Sequence, residues 1–470
     1  MGMYKKYISL VALATSAFAT VLSTSMVRIA APYIQESFLL RYADLTWIHN
    51  SYQISYAILL PVFGQLGDRY GRRKILLAGL ALFSLGSIAS GLSWNMASLV
   101  IFRLFQGVGG AAVFPNALTI GTGLFSADER GRAMGIWAMG VSLGSVAGPT
   151  LGGFIVQIFG WRGVFFVNVV FILISLAAIV YMVRVEEEFD DYAGAFDFRG
   201  TIMLAFMITM LITGIVSGPD RGWTDPVIML MMTAVLVLLP LFWRYEGEHA
   251  KPVIDPDLLL NRTFMSGMLC GGVHLVAIQG MNFLMPLFLS QVHGWDPLMV
   301  GLIMLPQALV RLVISPLSGY LSDKLDNAIP VAIGLVVRTI GLVMLGLLTP
   351  ESTMVHIGLI LVLDGTGAAM IWAPSMNAAM QSSPEEKRGS VAGVFNMLRF
   401  VMGALGTVFV GVILDLTFRA PVAATPVAGY LHAYLMLGSF TALALFRVKD
   451  LNVRSNRVAV TEDSSDELVR

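Results

Sequence analysis

Long apolar stretches alternate with short polar connections along the whole chain. The apolar runs fall at about 8–31, 45–63, 75–93, 97–124, 133–158, 163–183, 200–217 and 226–243, then at about 264–290, 298–318, 328–348, 355–380, 390–414 and 428–446. An α-helix needs roughly 20 apolar residues to cross a bilayer core. The pattern therefore predicts an all-α integral membrane protein with fourteen transmembrane helices. The first run follows Lys5 and Lys6 and continues to Ala31, which predicts a retained first span rather than a cleaved leader. The polar end, TEDSSDELVR, predicts a disordered cytoplasmic tail over 448–470.

Composition agrees with that reading. Of 470 residues, 56% are hydrophobic and 13% charged, and mean hydropathy is +0.77. A water-soluble domain is nearer half apolar and a quarter charged, so the chain's natural solvent is lipid. Formal net charge is zero, which gives no sign of a nucleic-acid partner. Cys270 is the single cysteine, so no internal disulfide exists, and a small apolar filler is its expected role. Of the 30 lysines and arginines, four lie in alternate connections (Arg41, Arg162, Arg221, Arg419) and five within spans. The other twenty-one fall on the opposite side. The positive-inside rule then places both termini in the cytoplasm. VEEEFDD, 185–191, reads as a solvated acidic linker.

Short segments repeat at a nearly fixed distance. GQLGD at 64–68 returns as GYLSD at 319–323, QGVGGAA at 106–112 as DGTGAAM at 364–370, and RGRAMG at 130–135 as RGSVAG at 388–393. The expected organisation is an N-terminal six-helix bundle over 1–184, a linker with two inserted helices over 185–262, and a related six-helix bundle over 263–447. Parallel repeats of this kind mark secondary transporters.

Charges at membrane depth are the candidate chemistry, because such groups are expensive there and usually functional. Arg28, Arg103, Arg311, Arg338 and Arg399 lie within spans, against one deep acid, Asp364. Arginine stays protonated, so each needs an acid, backbone carbonyls, a wet cavity or the interface. Ser16, Thr20, Ser23 and Thr24 give span one a polar side with Arg28 at its edge. Three roles for Arg28 stand open: snorkelling to the external interface, bridging to Asp364 or a helix end, or binding an anionic substrate group. Asp364, whose repeat mate is Gln106, is either a proton carrier or a fixed counter-ion for an arginine. His274 and Gln279 on span seven are candidates for coupling, against the plainer role of packing. The surplus of cations suits an anionic or zwitterionic amphiphile. Several of the 27 methionines and 27 phenylalanines suit an adaptable cavity. Trp47, Trp94, Trp161, Trp223 and Trp295 fall near span ends, as an interfacial belt does.

Several motifs point to one family. GQLGDRYGRRK, 64–74, with Gly64, Asp68, Arg69, Gly71 and Arg72, resembles the loop between spans two and three of the major facilitator superfamily. Gly319 and Asp323 repeat it. In that family the loop latches the two halves on the cytoplasmic side. RLFQGVGGAA resembles the fourth-span motif, whose arginine, here Arg103, is implicated in proton relay. GSVAGPTLGG, with Gly144, Gly148, Pro149, Gly152 and Gly153, resembles the fifth-span motif of antiporters. Its glycines at spacing four also form a face for close helix packing. GWRGVFFVN, 160–168, and FDFRG, 196–200, resemble segments of the fourteen-span drug:H⁺ antiporters. The resemblance implies the major facilitator fold, two pseudo-symmetric six-helix bundles with two inserted helices, and proton-driven export. That family carries Asp-x-Thr-x-x-Asn-x-Ala-x-Pro in span one. Aligned on Ala30 and Pro32, this chain has Ser23, Ser25 and Arg28 at the aspartate, threonine and asparagine positions.

The expected function is a secondary transporter exporting small amphiphilic compounds by alternating access. It would be driven by a proton gradient, with no cofactor or metal, as a monomer in a bacterial inner membrane. An uncoupled transporter or a sensor with a transporter fold is the alternative that Ser23 keeps open. A membrane enzyme would need clustered nucleophiles and bases, and the six histidines are scattered. No Walker loop occurs, which argues against direct ATP drive.

Overall fold

The computed structural model describes residues 3–125, 129–182, 197–249, 252–324, 326–383, 388–419 and 426–451. Among these residues every regular element is helical. In chain order they are α1 (Met3–Phe38), α2 (Tyr42–Tyr70), α3 (Arg72–Gly91), α4 (Met96–Gly123) and α5 (Arg130–Met182). Next come α6 (Phe198–Arg221), α7 (Pro226–Glu248), the short α8 (Pro256–Leu260) and α9 (Arg262–Gln291). Then follow α10 (Pro297–Ile303), α11 (Leu305–Lys324), α12 (Ala328–Gly346), α13 (Met354–Ala369), α14 (Trp372–Gln381), α15 (Arg388–Arg419) and α16 (Pro426–Leu443). Among the described residues, 12 helices are long and apolar enough to cross a membrane. One of them, within α5, contains the non-helical Gly160. The 29-residue α2 falls outside that set.

The connections start helices by chemistry that the sequence displays. Asn95 accepts from the Ser98 amide while Ser98 answers the backbone of Asn95, a capping box that opens α4. Asp225 and Asp296 cap α7 and α10, each followed by a proline at the first helical position. Gly71 alone separates α2 from α3, at φ +98, a conformation that favours glycine. Gly160, at φ +69, turns the chain inside α5.

Two expected spans stand as single candidate spans, Pro297–Ser322 and Met354–Gln381, but each carries a helix break. The run 298–318 divides at Met304 into α10 and α11 because Pro306 has no amide to offer the Leu302 carbonyl. The run 355–380 divides at Met370 and Ile371 because Pro374 stands four residues after Met370. The freed Met370 carbonyl accepts instead from Ser318 Oγ at 3.3 Å. The ordered chain also runs past 447: Ala444–Leu451 forms a 3-10 helix whose Val448 and Leu451 pack with Cys270, Val331 and Leu335. The tail expectation therefore applies only to 452–470, which lie outside the described residues, as does the acidic run 185–191.

The chain divides into two units. The first comprises Met1–Thr209 and Phe283–Leu305; the second comprises Met210–Asn282 and Pro306–Arg470. In the first, Tyr52, Phe83, Val113, Ile120, Trp137 and Ile172 form an apolar core. The fifth-span glycines pack α5 on α1: Gly144 faces the Phe18 carbonyl, Gly148 faces Ser25 and Gly152 faces Met26. Gly153 lies against the Pro297 carbonyl of α10, and Gly301 answers it against the Pro149 carbonyl.

The sequence repeat is also a packing repeat. Gly109 seats on Gly79 and Phe83; in the second unit Gly367 seats on Gly334 and Arg338. Gly107 seats on Tyr52 and Ser55; Gly365 seats on Gln307 and Val310. Gly86 abuts Gln106 as Gly341 abuts Asp364. The two units therefore share a backbone arrangement and differ in what they place at matched positions: Phe83 and Arg338, Tyr52 and Gln307, Gln106 and Asp364.

A methyl group at Gly153 would overlap backbone, whereas one at Gly319 would meet nothing within 4 Å. Gly153→Ala should lower the thermal unfolding temperature in detergent by several degrees, an overpacking cost of ~1–3 kcal/mol. Gly319→Ala should be neutral or slightly stabilising. Equal melting of both variants would refute the close crossing of α5 and α10.

Candidate functional site

Among the described residues, each unit holds a buried polar cluster built around an arginine. In the first unit Arg103, on α4, is 0% exposed. Its Nε donates to the Ile48 carbonyl at 3.2 Å and its Nη1 to Gln106 Oε1 at 2.6 Å. Its guanidinium carbon sits 4.3 Å from the centroid of the Tyr52 ring. Gln106 then donates through Nε2 to Ser23 Oγ at 3.3 Å and Ser87 Oγ at 3.1 Å. Ser87 passes its own hydrogen to the Phe165 carbonyl at 2.8 Å. Arg103 Nη2 has no acceptor, and among the described residues Arg103 forms no ion pair. A desolvated cation over an aromatic face gains ~2 kcal/mol, but burying an isolated charge costs more than neutral dipoles return. Arg28, half-buried on α1, lies with Arg103 within electrostatic reach of buried His49. The first unit thus gathers Ser23, Arg103 and Gln106 into one network, with Arg28 and His49 beside it.

The second unit resolves the same problem with a carboxylate. Arg338 and Asp364 are both fully buried, with Nε and Oδ1 3.5 Å apart. Gln307 donates to the other carboxylate oxygen, Oδ2, at 2.8 Å. Arg338 Nη1 lies 2.7 Å from His274 Nδ1 and 3.1 Å from the His274 carbonyl. A guanidinium only donates, so His274 Nδ1 accepts, and the ring is neutral with its proton on Nε2. Arg311 and Tyr434 lie within electrostatic reach of Asp364; Arg311 and Arg399 also reach His274. Arg399 stacks its guanidinium 5.3 Å from the centroids of both Trp372 and Phe400. Gln279 is buried one and a half turns beyond His274 and packs on Gly403 of α15.

Sequence reasoning named Arg338 among the deep arginines and kept open that Asp364 is a counter-ion for one of them, which the ion pair bears out; it did not single out which arginine, and it gave no role to Gln307, Tyr52 or Ser87. The signal for Arg338 was present, since Gly334, Arg338 and Gly341 share one helix face, the face that meets α13. Gln307 could have been found by carrying Tyr52 through the repeat.

The latch residues have a local geometry of their own. Gly67 packs tightly against Asn116, whose Nδ2 donates to the Phe63 carbonyl at 2.9 Å. Arg69 lies 5.4 Å from the Tyr70 ring centroid, and Gly64 and Gly319 face open space or a single distant atom. The side chains of Asp68 and Asp323 lie outside the described residues. A separate opening of about 790 Å³ in the first unit is lined by Tyr33, Glu36, Ser290, Gln291, Trp295 and Asp296 among others, and by none of the candidate arginines. Among the described residues no group of three or more histidines, cysteines or carboxylates stands together to hold a metal ion.

The family model of the Major Facilitator Superfamily matches residues 13–196 and 198–407. The chain belongs to that superfamily. It is a multi-pass membrane transporter, not an enzyme. Among its relatives is the multidrug resistance protein Stp of Mycobacterium tuberculosis, 32% identical over 409 residues, which cover 87% of this chain and 75% of Stp. Another is the tetracenomycin C resistance and export protein of Streptomyces glaucescens, 30% identical over 413 residues, with 86% and 75% covered. Among solved structures, a bacterial homologue of the human lysosomal transporter Spinster matches with a TM-score of 0.72 at 17% identity, covering 96% of this chain and 98% of that one. That likeness shows the fold.

Breaking a buried ion pair from one side strands the other charge. Arg338→Leu or Asp364→Leu alone should each destabilise the protein by ~3–5 kcal/mol. The double variant should cost clearly less than the sum of the two. Strict additivity in thermal or denaturant unfolding would show that the two residues do not interact.

Proposed function

We propose that this transporter exports small amphiphilic compounds, with a preference for anionic or zwitterionic ones, by alternating access coupled to the proton gradient. The observation that carries the charge preference is Arg103, fully buried with no carboxylate at ion-pair distance among the described residues. Ser23, at the position where the drug:H⁺ antiporters carry an aspartate, reaches Arg103 only through Gln106. The protein leaves this charge uncompensated, and the surplus of cations over acids at membrane depth favours an anionic ligand group. Asp364 is already held within the protein, with Arg338 at ion-pair distance from Oδ1 and Gln307 donating to Oδ2. The names of the relatives, multidrug resistance and export proteins, support export of small drug-like molecules.

The same reading extends to topology. Counting α2 as a span, and the two arms of α5 on either side of Gly160 as two, brings the 12 candidate spans to fourteen. The distribution of Lys and Arg supports two cytoplasmic termini in a cell membrane. The protein acts as a monomer, with lipid as its only obligatory surround. Coupling is assigned to the deep polar groups: Asp364 with His274 in the second unit, Arg103 with Gln106 in the first. Gln279 and Arg399 are candidates for the substrate surface. The fifth-span glycines hold α5 against α1, and the latch loop fixes the cytoplasmic end.

Ser23 also favours a second reading, an uncoupled transporter or sensor. The discriminating measurement is proton release from the detergent-purified protein on adding substrate, with and without Asp364→Asn. Release that depends on Asp364 supports the coupled exporter; binding without release supports the uncoupled one.

The charge preference has its own test in proteoliposomes. Arg28→Ala should reduce transport of an anionic amphiphile about tenfold or more relative to a cationic dye, the scale of one charged hydrogen bond. Equal losses on both substrates would count against an anion preference. Ser23→Asp, which places a carboxylate beside Gln106, should shift selectivity towards the cation.

A further inference from the structure

We propose that Arg311 is the residue that recognises the anionic group of the substrate, a carboxylate carried on a small amphiphile. This rests on the anionic preference proposed above.

The assignment follows from what each charge in the second unit is already doing. Arg338 is sealed from solvent and committed to Asp364 and His274. Asp364 is committed to Arg338 and Gln307. Arg311 differs from both. Among the described residues it forms no hydrogen bond and no ion pair, and its side chain is only half-buried. None of its nitrogens is among the sealed, unpartnered atoms, so its donors remain reachable. Its field nevertheless meets those of Asp364, Arg338 and His274. With His274 neutral, Arg311, Arg338 and Asp364 together carry one excess positive charge, and the reachable member of the three is Arg311.

Position excludes two simpler roles. The span Pro297–Ser322 leaves roughly 16 Å of helix between Arg311 and its nearer end, at about 1.5 Å per residue, beyond the reach of a snorkelling side chain. Packing does not require a cation there either. The matched residue of the first unit is Tyr56, stacked on Tyr52 at 5.9 Å and edge-on to Phe114 at 6.3 Å. The repeat thus accepts an uncharged ring where the second unit carries a guanidinium.

A second, independent feature lies on the same helix. α11 begins at the break that Pro306 imposes after Met304, and Gln307 and Arg311 stand one turn apart on one face of it. Discontinuous membrane helices mark substrate sites in transporters. Arg311 thus follows a backbone interruption, and its guanidinium is a fork of donors that suits two carboxylate oxygens.

The test uses the full-length protein in lipid nanodiscs and two probes with one carbon skeleton, 4-phenylbutyrate and 4-phenylbutylammonium, titrated calorimetrically. The wild type should bind phenylbutyrate more tightly. Arg311→Gln should weaken phenylbutyrate about tenfold or more, the scale of a charge-assisted hydrogen bond, and leave phenylbutylammonium unchanged or tighter. Arg311→Lys, which keeps the charge, should retain most of the affinity. If the wild type prefers phenylbutyrate and Arg311→Gln binds it equally well, the assignment to Arg311 is wrong while the anionic preference stands. If the wild type prefers phenylbutylammonium, the preference itself fails and the assignment with it. If Arg311→Gln loses both ligands through misfolding, Arg311→Lys decides: a retained carboxylate preference supports the proposal, and its loss overturns it.

Discussion

A guanidinium at membrane depth cannot shed its charge, and the polar architecture of this protein is arranged around that constraint. Both units bury an arginine completely. One surrounds it with dipoles and an aromatic face, the carbonyl of Ile48, the amide of Gln106 and the ring of Tyr52. The other gives it a carboxylate and a histidine lone pair. The first solution leaves the charge uncompensated, and the second neutralises it at once. The difference between them lies in whether the charge is met by dipoles alone or by a carboxylate.

The glycine framework makes both solutions possible on one backbone. Gly109 and Gly367 bring the paired helices close, and Gly107 and Gly365 do the same on the neighbouring face. With the main chains in contact, the residues between them are shielded from lipid and from water. A charge placed there meets only what the facing helix supplies. In such a setting the choice of one side chain, Gln106 or Asp364, sets the sign of the local field.

Much of the fold was legible in the sequence, because bilayer thickness imposes a length on every apolar run and glycine pairs mark close crossings. The duplication was legible because GQLGD, QGVGGAA and RGRAMG each returned in order. The helix breaks at Met304 and Met370 were not foreseen, although Pro306 and Pro374 stood in view; hydropathy averages over a proline without registering the lost amide. A counter-ion role for Asp364 was legible, but not that its partner is Arg338 or that His274 joins them, since three residues far apart in sequence meet only when α9, α12 and α13 pack. Arg103 and Gln106, one helical turn apart, could be linked from sequence alone, but Ser87 and Ser23 entered that network only through tertiary structure.

The matched positions of Gln106 and Asp364 bear on how such a transporter can change. A glutamate for Gln106 is one nucleotide away, and it would sit in a cradle of glycines already shaped to hold a polar side chain beside an arginine. The first unit could then acquire its own counter-charge without any repacking of helices. A duplicated scaffold of this kind keeps two electrostatic registers that can be rewritten separately while the helices stay in place.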